Sequence, residues 1–141
     1  MKLRTVIASV TVASLLVILS GCGTSDASGR QNLIKSTTSG DTTIALSSAS
    51  GEIREGENEL VLSFADASGA ALDIKAASLK FHMPAMGSMA EMNDVAALTT
   101  TETAGSFKAR VRIETPGSWE AIISFQGPRG TEQATMSVIA K

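Results

Sequence analysis

The chain has 141 residues, 43% of them hydrophobic but only 4% aromatic and 18% charged, with one His, one Cys, no Tyr and a formal net charge of -2. One compact domain is expected, since domains typically run to about 100–150 residues, and a pI near 5.4 excludes the clustered positive field that nucleic-acid binding needs. A single Cys builds neither a disulfide scaffold nor a multi-Cys zinc site, and with His82 the only imidazole, any metal centre must draw on Met, carboxylate or backbone donors.

The first segment reads as an address. Lys2 and Arg4 precede a run from Val6 to Leu19 that is apolar apart from small Ser and Thr. A run of about 14 residues is shorter than the roughly 20 that a spanning helix needs, so the pattern is that of a secretory signal. It ends in Leu19-Ser20-Gly21-Cys22, which resembles the bacterial lipobox. That resemblance implies cleavage before Cys22 and a diacylglycerol on its thiol, with two palmitate-type acyl chains that together bind a membrane stably where one would not. Acyl chains hold a protein to a membrane through about 0.8 kcal/mol per buried methylene. The expected location is the cell envelope, lipid-anchored and extracytoplasmic. Loss of residues 1–21 removes two of the twelve basic residues, so ten face fourteen acidic ones and the mature charge is -4.

From Cys22 to residue 41 the chain is rich in Ser, Thr, Gly and Asp, with only Leu33 and Ile34 apolar. Such a stretch buries too little surface to offset its ordering entropy and predicts a flexible tether. The globular domain is expected over residues 42–141.

Within that domain, period-two alternation prevails over helical periodicity. Weak strands are expected at Thr43–Ser47, Leu72–Lys75 and Val95–Thr101, and stronger ones where Leu60, Leu62 and Phe64, then Leu79, Phe81 and Met83, alternate with other residues. The clearest runs from Ser106 to Ile113, and two more carry Trp119, Ala121, Ile123 and Phe125, then Met136 and Val138. Turn signals stand between them at Ser50-Gly51, Glu55-Gly56, Ser68-Gly69, Ala104-Gly105, Pro116-Gly117 and Gly127-Pro128-Arg129-Gly130. About seven short strands so spaced predict an all-β, antiparallel sandwich. Lys108, Arg110 and Arg112 alternate along one strand and are read as its solvated face, with Glu side chains as cross-strand partners.

The chemistry sits in Phe81 to Met92, FHMPAMGSMAEM. Of the six methionines, five remain after the leader, and Met83, Met86, Met89 and Met92 fall within ten residues at a spacing of three. Chance would place about 0.4 of them in such a window. Packing is one cause, because Met fills apolar gaps and contacts partners. Pro84, Gly87, Ser88, Glu91 and Asn93 instead suit an exposed connection, with Pro84 ending the preceding strand. The other cause is a soft metal, since thioether sulfur selects Cu(I), or Ag(I) as its mimic, with no proton to lose. A spacing of three aligns sulfurs in a 3₁₀ or polyproline-like run, whereas in an α-helix each step falls about 60° short of a turn.

His82 adds an imidazole. On an unbroken strand it points away from Met83, so both reach one ion only if the strand has already broken; otherwise Met83 belongs to the core. Glu91 is read as a solvated loop carboxylate and Trp119 as core.

The run LKFHMPAMGSM from Leu79 to Met89, followed by Gly105-Ser106-Phe107-Lys108-Ala109 and by Gly117-Ser118-Trp119-Glu120-Ala121, resembles the YtkA-like domain, related to FixH-like proteins. The likeness covers roughly residues 42–141. It implies an immunoglobulin-like fold, an envelope location and the company of heavy-metal efflux or cytochrome oxidase assembly components. Members often carry His after the MPxMG string; Ser88 stands there in this chain, which moves a site toward sulfur and away from a Cu(II) imidazole centre.

The expectation is therefore a lipid-anchored Cu(I) chaperone or buffer that binds through Met86, Met89 and Met92, with Met83 and His82 as further ligands. The alternative is a metal-free accessory module whose Met loop meets an efflux or oxidase assembly protein. No enzyme is expected, because one His and a lipidated Cys leave no nucleophile, base and orienter set.

Overall fold

The computed structural model describes residues 30–141, in nine strands: β1 (Asn32–Ser39), β2 (Thr42–Ser48), β3 (Gly56–Ala65), β4 (Ala77–Met83), β5 (Met92–Val95), β6 (Ala97–Thr100), β7 (Ser106–Ile113), β8 (Gly117–Gly127) and β9 (Gly130–Ala140). The signal segment, Cys22 and the start of the expected tether lie outside the described residues. Five strands form one antiparallel sheet in the order β1-β2-β3-β7-β6, and four form a second in the order β5-β4-β8-β9. The two make a β-sandwich.

Alternation explains most of it. β2, β4, β7 and β9 bury every second residue, so each strand has one dry and one wet face. Phe64 of β3 meets Phe107 of β7 edge-on, with ring centroids 6.0 Å apart, and crosses the sandwich to Phe125 of β8 at 4.9 Å. Such pairs add about 0.5–1.5 kcal/mol beyond the area they bury. Trp119 is core as expected, and its indole Nε1–H donates to the Thr115 carbonyl at 2.9 Å. The basic stripe is also as expected: Arg110 lies opposite Glu59 and Arg112 opposite Glu57, with contacts of 2.8 and 3.6 Å. These pairs are exposed and contribute little.

Three expectations are corrected. Residues 32–39, assigned to the tether, form β1, so the sandwich begins ten residues before position 42. A polar edge strand holds through its backbone ladder to β2 and through Ile34, which a bulge between Leu33 and Lys35 turns toward the core. Leu72–Lys75 is no strand. There Leu72 N–H donates to the Phe64 carbonyl and a tight turn from Leu72 to Ile74 drops Ile74 into the core. Val95–Thr101 is two strands, because the chain changes sheets at buried Ala96, whose N–H donates to the Leu79 carbonyl at 3.0 Å.

The sandwich has two poles. At one lie the β1–β2, β6–β7 and β8–β9 turns; at the other lie the start of β1, the end of β9, the β4–β5 loop and the β7–β8 connection. A parallel bridge from Ile53 to Ala140 joins the two sheets at this second pole.

Gly105 has φ +68, and a Cβ there would lie 1.9 Å from the Leu72 carbonyl oxygen, a backbone atom that cannot swing away. Gly105→Ala is expected to cost more than about 2 kcal/mol, whereas Gly69→Ala, strained at φ +87 but facing open space, is expected to cost nearer 1 kcal/mol. Urea unfolding midpoints of the two variants check the difference.

Candidate metal-binding loop

The core sets where this loop begins. Leu79, Phe81 and Met83 point inward, so His82 points out, and Pro84 ends the strand. β5 returns antiparallel, with Met92 opposite Met83 and Asn93 opposite His82. Residues 84–91 therefore form an exposed loop between two paired strand ends.

Inside it, Met86 and Met89 exchange backbone hydrogen bonds in both directions, at 3.1 and 2.9 Å, around a Gly87-Ser88 turn with Gly87 at φ +56. The positive φ is what the tightness of this turn requires. Residues so paired present their side chains on the same face. The spacing of three thus aligns two thioethers through a miniature hairpin, in place of the 3₁₀ or polyproline-like run expected from the sequence. Both side chains are open to solvent, Met86 at 57% and Met89 at 46%.

The other predicted ligands are placed differently. Met83 is 3% exposed and part of the core, which is the outcome strand geometry dictates when the break comes after it. Met92 is half-buried against the core, and the Thr115 hydroxyl lies 3.7 Å from its sulfur. His82 stands on the outer face, between its strand neighbours Asn93 and Glu120. Its Nδ1 lies 3.0 Å from Asn93 Oδ1. An amide oxygen only accepts, so this contact is made by an Nδ1–H donor; in the neutral ring the lone pair is then on Nε2, the arrangement a metal-ligating imidazole uses. The structure joins Met86 to Met89, stations His82 at the root of their loop, and turns Met83 and Met92 inward.

Among the described residues no three His, Cys, Asp or Glu side chains gather as a metal site. The donors this loop offers are two thioethers and one imidazole nitrogen, a soft set suited to Cu(I).

One residue was missed. Asp94, opposite Phe81, faces inward beneath β5, and its Oδ2 is buried with no hydrogen-bond partner. Burial pushes its carboxyl up, the nearby Glu114 carboxylate adds to the rise, and the Glu114 backbone N–H offsets part of it. The signal available was the two-residue step from Met92, which puts Asp94 on the same side as Phe81.

The YtkA-like family model matches residues 36–124, more than half of the chain, and the chain belongs to that family. The matched span opens within β1 and closes within β8, so it contains the whole Met loop. No curated protein and no solved structure matches.

A carboxyl held above its ordinary range binds its proton in the fold before it does in the unfolded chain. Its protonation adds stability as pH falls through the raised value toward the ordinary one near 4, and that stability is lost as pH rises. Asp94→Asn is therefore expected to melt at a higher temperature than the parent near neutral pH, with the gap closing on acidification. Melting curves of both proteins against pH check this, since Glu52, Asp66 and Glu132, whose carboxyls are lowered by their hydrogen bonds, contribute equally to each.

Proposed function

We propose that this YtkA-like chain is a lipid-anchored, extracytoplasmic Cu(I)-binding protein that buffers the ion or hands it on. Met86 and Met89 are the primary ligands, and His82 Nε2 is the third donor. Met92 joins them when its sulfur turns out from the rim, and Met83 stays in the core. The observation that carries the reading is the paired exposure of Met86 and Met89. Met83 and Met136 of the same chain are buried, and each half-exposed thioether forgoes on the order of 1 kcal/mol of burial. A ligand that needs both sulfurs accounts for that cost. The lipid anchor rests on the Leu19-Ser20-Gly21-Cys22 string.

A metal-free accessory module for an efflux or oxidase assembly protein is the second reading. The observation in its favour is that Pro84 to Ala90 is exposed throughout and mostly apolar, as a protein-contact loop would be.

Titration of the mature chain with Cu(I) against a chromophoric chelator separates the two. One-to-one binding is expected, at least tenfold weaker in Met86→Leu/Met89→Leu and little changed in Met83→Leu, where a volume-conserving swap keeps the core. Failure of the parent to compete would remove the copper reading and leave the contact surface.

A further inference from the structure

We infer that the pole carrying the Met loop rests on the bilayer that holds the lipid anchor, so that the loop works at the membrane surface. The inference rests on the lipid-anchored reading above and adds an orientation and a contact surface to it.

Topology supplies the first argument. β1 starts at the same pole as the Met loop: Asn32 pairs with Ser48, β3 and β7 carry that end to Gly56 and Ile113, and the following β7–β8 connection places Thr115 on Met92. Residues 23–31 separate Cys22 from Asn32, ten Cα–Cα steps that reach no further than about 33–36 Å even when fully extended. β8 has eleven residues, which at about 3.3 Å each span roughly 35 Å from pole to pole. That reach only equals the length of the domain, so the far pole meets the membrane only if the whole connection is laid out straight along the sandwich, whereas the near pole meets it at any shorter extension.

Exposed apolar side chains supply the second. Leu33, the second residue of β1, is 60% exposed, and Ile139, the last but one of β9, is 67% exposed. Met86 and Met89 extend the same end. Of the large exposed hydrophobics among the described residues only Val95 lies elsewhere. Leu33, Ile139 and the Met86–Met89 pair stand on three separate elements around this end instead of lining one cleft, which suits shallow insertion at a lipid interface better than a groove for a peptide.

The test uses the acylated mature chain in protein-free vesicles of phosphatidylethanolamine and phosphatidylglycerol. With Cys22 blocked by its lipid, single cysteines at Leu33→Cys, Ile139→Cys and Ser68→Cys, all at exposed positions, accept a fluorophore quenched by doxyl-labelled lipid. Flotation with the vesicles reports the anchor, and quenching reports the contact. Quenching severalfold stronger at Leu33→Cys and Ile139→Cys than at Ser68→Cys is expected. Flotation with equally weak quenching at all three would overturn the bilayer contact while sparing the anchor, and would leave a membrane-embedded protein as what this pole meets. A chain that fails to float would remove the anchor and the orientation together.

Discussion

The inward register of β4 is the constraint on which the Met-loop end of this molecule depends. Leu79, Phe81 and Met83 are fully or almost fully buried between the sheets, and because strand side chains alternate, their burial fixes His82 outward. Pro84 then denies the ladder its next donor. The loop must leave at that point, and β5 must return with Met92 opposite Met83. A slip of one residue would bury an imidazole and expose a thioether and a phenyl ring, so the arrangement is held by the whole core.

That rigidity is what makes a loop of small and sulfur-bearing residues useful. Met83 and Met92 hold its two ends as core and rim contacts, and the Met86–Met89 hairpin needs only a short excursion to place two soft donors in solvent. Asn93, one residue beyond Met92, brings its side-chain oxygen to His82 Nδ1 and so holds the ring in place. The same short strand carries Asp94 inward at a cost in solvation. β5 therefore combines a contact to His82 with a half-buried acid, in a strand of four residues at a sheet edge. Edge segments of this kind lie toward the low end of local stability, where binding loops are drawn from.

Much of the fold was legible. Ser106 to Ile113 alternates so regularly that its limits are those of β7, and the glycine pairs mark turns at which the backbone takes positive φ. β1 was not legible, because Asn32–Ser39 contains too few apolar residues to announce a strand and is held by ladder bonds to β2. Ala96 looked like the interior of one strand, since a change of sheet leaves no mark in an apolar–polar pattern. The candidate site was half legible. The Met spacing identified the loop, and alternation raised Met83 as core, but Asp94 shows its burial only once β5 is paired with β4.

By itself the sequence determined the strands with strong alternation, the stop at Pro84, the concentration of thioethers and the family motifs, all of which are local properties of neighbouring residues. Tertiary structure decided which of those thioethers share a face, which ring nitrogen of His82 meets Asn93, that one Asp94 carboxyl oxygen is buried, and that the Met loop and the start of β1 share a pole. Each of these depends on register and sheet order, which are set by pairing between residues far apart in the chain and so cannot be read from any one stretch of it.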